Sequence, residues 1–296
     1  MRKYTLYAFA SFMCFMSVLF VMADKPLYAQ AGPKFDITKV ADNVYSFRFI
    51  IHRNMIVITK NGVIVSDPLN PFAAKMMMAE IKKLTDKPVK YVIYSHNHWD
   101  HIAGAGIFKA QGAKIVQHEL AAKATRPNKA VVPADTLWSG KRHDIKLGGQ
   151  TIELHYIGAS HGSGMTVMRL PKHKILHTVD VVTPNRIVFT FMPDFVPFKL
   201  VEALKNVEKL EFDRIIPGHG PAHAPKSAVT QQYQYVQDLS AAVLNAVKIT
   251  KNPFALPKIT ELVKKDLRPK YGKWNMFDQW MGMNVLRITL EQRIGW

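Results

Sequence analysis

Beyond Gly32 the chain alternates short apolar and polar runs bounded by glycine, proline and asparagine, the pattern of strands with one or both faces buried. Residues 44–50 alternate, and MIVITKNGVIVSDPL (55–69) reads as a hairpin turning on Asn61-Gly62 with β-branched arms. Residues 71–84 have helical spacing, and VKYVIYS (89–95) is the continuous apolar run of a buried strand. A short helix from Ala103, a strand at 113–117 and another helix follow. Strands resume at 151–157, 165–170 and 174–180, and a helix over 198–210 leads into a strand at 212–217. Beyond Pro225 the spacing is helical to the end. The Met and aromatic stripe of the last helix (275–293), with Phe277, Trp280 and Met281, reads as a core-facing surface. Strands alternating with helices predict an α/β class. A chain of 296 residues, 48% hydrophobic, can bury a substantial core.

The first thirty residues follow another rule. Arg2 and Lys3 precede an apolar run from Leu6 to Met22, and Ala29-Gln30-Ala31 has the small-x-small form of a cleavage site. Residues 1–31 are therefore expected to be a signal peptide and the mature protein to begin near Gly32, in the periplasm or secreted. An uncleaved anchor is the rival, because a run of this length approaches the roughly 17 residues of the shortest membrane span. With cleavage, no membrane association is expected. The remainder divides into a domain over 32–225 and a helical segment over 226–296 that packs on it. The one cysteine, Cys14, lies within the signal, so the mature chain has no disulfide and any metal site must be built from His, Asp and Glu.

The net charge is +18, and cleavage would leave 37 basic against 21 acidic residues, or +16. Such a charge favours anionic partners. The basic residues are scattered, however, as short pairs such as Lys141-Arg142 and Lys264-Lys265. No aromatic-interleaved basic module is present, so a small-molecule substrate is expected rather than nucleic acid.

The densest chemistry lies in YSHNHWDHIAG (94–104). His96 and His98, two apart at a strand end, leave the backbone on one side and can bind one ion. Asp100 and His101, past the bend toward a helix, point at a second position; two ions about 3.5–4 Å apart can use all four. Downstream, His161 sits in the glycine-rich loop GASHGSG (158–164), Asp180 ends the strand KILHTVD (174–180), and His219 lies between two glycines in PGHGPAH (217–223). All are strand-end positions, where sites in layered folds gather.

These blocks, in this order, closely resemble the metallo-β-lactamase superfamily. The resemblance covers nearly all of the mature chain and implies an αβ/βα sandwich with metals at one edge of two sheets. It implies that His96, His98 and His161 hold a first ion, that Asp100, His101 and His219 hold a second, and that Asp180 bridges them. Asp67, ending the strand GVIVSD, looks like the family's aspartate that hydrogen-bonds the His-rich loop. The family's bridging aspartate usually follows glycine, whereas Val179 precedes Asp180 here. His98 stands where the oxygen-reducing di-iron relatives have Glu, and nitrogen-rich ligation favours zinc, two ions per chain. Trp99 is expected to pack beneath the loop.

The resemblance further implies a hydrolase in which a metal-activated water attacks an electrophilic centre, with Asp100 orienting that water and moving its proton. The expected substrate is a cyclic amide or ester (a β-lactam or lactone). Thioester (glyoxalase II-like), phosphodiester and sulfate-ester hydrolysis are alternatives. A di-iron redox enzyme and a non-catalytic metal or small-molecule binding accessory protein are the readings from other classes. Residues 186–198 and 271–281, both aromatic-rich, are candidate pocket walls as well as candidate core.

Overall fold

A computed structural model describes residues 35–125 and 128–295; the expected signal peptide lies outside them. The first sheet follows chain order: β1 (Phe35–Ala41), β2 (Val44–Phe49), β3 (His52–Thr59), β4 (Gly62–Ser66), β5 (Val89–Ile93), β6 (Lys114–His118) and β7 (Thr136–Trp138). Its first four strands are antiparallel neighbours and its last four parallel ones. Tight turns can serve the former, while parallel pairs need crossovers. Those crossovers carry α1 (Pro71–Leu84), the one-turn pieces α2 (Trp99–Ile102) and α3 (Gly106–Lys109), and α4 (Glu119–Thr125).

The second sheet contains β8 (Arg142–Leu147), β9 (Gln150–Tyr156), β10 (Thr166–Leu170), β11 (Ile175–Val179), β12 (Arg214–Pro217) and β13 (Ala224–Pro225), in the order β13-β12-β11-β10-β9-β8. Its one parallel pair, β11 with β12, is joined through α5 (Pro197–Glu208). Three helices complete the chain: α6 (Ser227–Thr250), α7 (Leu256–Tyr271) and α8 (Phe277–Ile294). Among the described residues, no helix is long and apolar enough to cross a membrane.

The two-residue period of β3 builds the layers. Met55 and Val57 join Ile64, Ile93, Ile152, Leu154 and Met168 in the cluster between the sheets. Ile56 and Ile58, pointing the other way, join Met77 and Ile81 of α1. On the far side of the second sheet, Val167, Leu176 and Ile215 share a cluster with Leu200, Leu204, Tyr235, Leu239, Val285 and Ile288 of the later helices. The result is helix, sheet, sheet, helix: the αβ/βα sandwich expected, with the helices after Pro225 packed into its outer layer. Each fully buried aliphatic side chain contributes about 1.5–3 kcal/mol, so clusters of this extent stabilise the fold without a disulfide.

Local chemistry sets the element ends. At α1, Asn70 Oδ1 accepts the Ala73 amide at 2.9 Å and Pro71 fills the first turn, where its missing N–H costs nothing. The hairpin between β3 and β4 departs from expectation by one residue. Thr59 pairs with Gly62, so the turn is Lys60–Asn61. Gly62 serves a different need: a Cβ there would lie 2.5 Å from Lys90 Cγ and 2.9 Å from the Pro88 carbonyl oxygen. Its lack of a side chain lets β5 approach β4.

Candidate metal centre

The two sheets deliver their polar strand ends to one edge. His96 and His98 follow β5, Asp100 and His101 ride on α2, and His161 lies between β9 and β10. Asp180 follows β11 directly, and His219 comes two residues after β12. Across the seam the Thr166 amide donates to the Ser95 carbonyl at 2.8 Å, fixing the His-rich loop to the second sheet.

Asp180 stands at the middle. Its Oδ2 is 3.1 Å from His101 Nε2, 3.3 Å from His161 Nε2 and 3.9 Å from His96 Nε2, and its Oδ1 is 3.1 Å from His219 Nε2. His96, His98, His161 and Asp180 offer ligand atoms within 4.8 Å of one another. A second such group contains His101, His219 and His52. Asp100 sits beside it, Oδ2 3.7 Å from His101 Nε2 and 3.1 Å from His52 Nε2. Asp67, set behind, accepts the Ser95 amide on Oδ1 at 2.8 Å. All eight residues singled out from the sequence therefore lie at one place.

Val179, where the family usually has glycine, takes a backbone conformation that glycine adopts freely. Its φ is +39°, left-handed, a conformation costly to a β-branched residue and worth about 1–3 kcal/mol of strain. Gly218 permits the other close approach. A Cβ there would fall 2.7 Å from Asp180 Oδ1 and 2.8 Å from the Val179 carbonyl carbon, so a side chain would displace the carboxylate.

Charge is balanced inside the cage. Burial pushes His96 and His161 below the ordinary imidazole range, which keeps them neutral and able to donate a lone pair. Burial would also raise Asp180, but His101 and His219 outweigh it and hold the carboxyl well below its usual range. His101 shows the reverse: burial opposes its charge, yet Asp180, Asp100 and Asp67 lift it to about 9. Burial brings Asp67 up to about 6, with His101 and Ser95 restraining the rise.

The donor set fits divalent cations. Nε2 of His96 and His161, Nδ1 of His98 and Oδ1 of Asp180 are buried and make no hydrogen bond among the described residues, and His101 Nε2, buried likewise, would release its proton to an ion. Buried polar atoms are rarely left unpaired, and these lone-pair donors converge. The other nitrogens of His96 and His219 are occupied instead. His96 Nδ1 lies 2.7 Å from Ser95 Oγ, and His219 Nδ1 donates to the Ile51 carbonyl at 2.8 Å. Such outer bonds fix ring orientation and tautomer.

Two site residues escaped the sequence reading. Asp194 places both oxygens 3.0 Å from His98 Nε2 and also accepts from the Asn97 amide at 3.1 Å. A donating Nε2 leaves the His98 Nδ1 lone pair facing the cage. Burial works against the Asp194 charge, but His98 and Asn97 overcome it and hold the carboxyl well below its usual range. Its only sequence signal was an acid inside an aromatic loop. Asp194→Ala should weaken first-ion affinity about 10–100-fold, the usual cost of losing an outer-shell partner, as read by chelator competition. The other residue is His52.

The aromatic segments separate. In 186–198, Ile187, Val188 and Phe195 are buried, and the Phe195 ring lies 5.7 Å from that of His161. Phe191, three residues before Asp194, is 72% exposed. In 271–281, Tyr271, Phe277 and Met281 belong to the core, while Trp280 stacks on Arg186 at 4.3 Å. Trp99 does not pack beneath the loop as expected: it is 58% exposed, because His101 and Ile102 occupy the buried side of that turn. His118 packs between Tyr156 (4.4 Å) and Trp138 (4.5 Å).

Residues 51–219 match the sequence model described as the metallo-beta-lactamase superfamily. The chain is 27% identical over 287 residues to 2,4-dinitroanisole O-demethylase subunit alpha of Nocardioides sp. (strain JS1661), covering 95% of this chain and 87% of that one. It is 24% identical to subunit beta of the same name and source, covering 88% and 82%. Metallo-beta-lactamase IND-1 of Chryseobacterium indologenes is 24% identical over 133 residues, 45% of this chain and 55% of that one. Among solved structures, a metallo-beta-lactamase from Pontibacter korlensis superposes with a TM-score of 0.63 at 22% identity, covering 69% of this chain and 99% of that one.

Proposed function

The chain belongs to the metallo-β-lactamase superfamily, and from that premise we propose that it is a metal-dependent hydrolase working with two ions, zinc by preference. The observation that carries this reading is the inward set of unpaired, buried lone-pair donors drawn from both sheets. Two such ions supply a water whose pKa is brought from 15.7 to about 7, near neutrality. The chain's own groups do the rest. His96, His98 and His161, with Asp180, would hold the first ion; Asp100, His101 and His219 would hold the second, with Asp180 shared. Asp194 and Ser95 orient the rings of His98 and His96. Asp100 is kept ionised: burial opposes its charge, but the contact with His52 and the field of His101 prevail. As a carboxylate beside the second group of ligands, it would orient the water and move its proton.

For the substrate we retain a cyclic amide or ester, met outside the cytoplasm in keeping with the Arg2-Lys3, Leu6–Met22 and Ala29-Gln30-Ala31 pattern. A second reading has an observation behind it. The demethylase subunits are similar over nearly the whole chain, the later helices included, whereas the IND-1 similarity spans under half. Together with the exposed Trp99 and Phe191, this favours an electron-poor aryl ether as the competing class. The test is turnover by purified protein beginning at Gly32, with and without chelator and added zinc. The panel holds a β-lactam, an acyl-homoserine lactone, a nitroaryl methyl ether, a thioester, a phosphodiester and an alkyl sulfate. Chelator-sensitive turnover of the lactam or lactone supports the first reading, and of the ether the second. Metal-replete protein inert on every substrate would count against a hydrolase.

A further inference from the structure

His52 lies outside every motif that marks the site, yet three features place it there. It opens β3 after the two-residue turn Ile50–Ile51, in which Phe49 pairs with His52. Ile50 holds a φ of +55°, a left-handed conformation that is a genuine outlier for a β-branched residue. Strain of this kind persists only where the surroundings over-determine it. Here they do: the Ile51 carbonyl accepts from His219 Nδ1 at 2.8 Å, and the Arg53 amide and Nε donate to the carbonyls of Gly218 (2.6 Å) and Gly220 (2.7 Å). Residues 51–53 are thus locked to the loop that carries His219, and the strained turn aims one imidazole into the cage.

We propose that His52 is a direct ligand of the second ion through Nε2, alongside Asp100, His101 and His219. The inference rests on the two-ion reading of the centre. The ligand atoms of His52, His101 and His219 fall within 4.8 Å of one another. The three rings are mutual neighbours, with centroids 5.0 Å (His52–His101), 4.8 Å (His52–His219) and 5.5 Å (His101–His219) apart. Donors about 2.0–2.1 Å from one zinc ion stand roughly 2.9 Å apart at a right angle and roughly 3.4 Å apart at the tetrahedral angle. The 3.1 Å between His52 Nε2 and Asp100 Oδ2 falls between these limits. A hydrogen bond alone would explain that distance. It would not explain why two further imidazoles bring their ligand atoms within 4.8 Å of that of His52.

The experiment is metal titration of chelator-stripped protein against a chromophoric competitor, with zinc as probe. The parent should take two ions. His52→Ala should keep the first-ion affinity, which also reports that the variant has folded, and lose at least about 100-fold for the second, since even outer-shell partners cost 10–100-fold. His52→Gln retains a hydrogen-bonding amide toward Asp100 but no imidazole lone pair, so it should behave as the alanine variant does. Unchanged second-ion affinity in His52→Ala, or restoration in His52→Gln, overturns the ligand assignment while the two-ion centre stands. A parent that binds fewer than two ions overturns both.

Discussion

His98→Ala should lower turnover by at least about 10³-fold and reduce the metal content to one ion or none, measured by elemental analysis beside steady-state kinetics. The size follows from its position. His98 Nδ1 is one of the buried unpaired donors, and its Nε2 is the nitrogen gripped by Asp194. Truncation removes a donor and takes from the half-buried Asp194 carboxylate its imidazole partner in one step. Losing an outer-shell partner alone costs about 10–100-fold, and a direct donor exceeds that. The control is His118→Ala. It empties a slot between Tyr156 and Trp138 and should cost stability of about 1–3 kcal/mol, yet leave two ions per chain. Full metal content in both variants would remove His98 from the centre.

Asp180→Asn should be more damaging still, with both ions lost and turnover down by about 10⁴-fold or more. Each oxygen of Asp180 serves a different side of the cage, Oδ2 facing His96, His101 and His161 and Oδ1 facing His219. Asparagine keeps the shape but offers one weaker oxygen and an N–H₂ group that cannot ligate a cation and would instead donate hydrogen bonds to the facing lone pairs. Without the carboxylate, four buried imidazoles lose the charge that compensates a divalent ion. Inductively coupled plasma measurement of the purified variant decides it: retention of either ion would confine Asp180 to one side rather than both.

Much of this architecture was legible because its signals are local. Met55 to Ile58 and Val63 to Val65 are unbroken apolar runs, the mark of strands buried on both faces, and Asn70-Pro71 marks a helix start by side-chain chemistry alone. The ligand blocks were legible for the same reason: 96, 98, 100 and 101 are adjacent in sequence, 180 directly follows a strand, and 161 and 219 lie in glycine-rich loops after one. What escaped depends on chain segments meeting. His52 is a single histidine with no neighbour in sequence, and its role exists only because β3 starts beside the His219 loop. Asp194 is ninety-six residues from the ring it holds. Trp99 was misplaced because a one-turn helix has too few residues to reveal which side is buried. Gly62 was read as a turn residue when its use is the passage of β5, a contact that no hairpin rule contains.

The bonds across the seam, Thr166 to Ser95 on one flank and Arg53 to Gly218 and Gly220 on the other, act before any ion arrives. They gather donors from two sheets with the chain's own backbone, so the entropy of assembling them is charged to folding and not to metal capture. Folding and loading thereby become separate events in time. An arriving ion meets a finished container, and its binding energy goes into holding on: entry should be quick, second order in protein and metal, and departure slow.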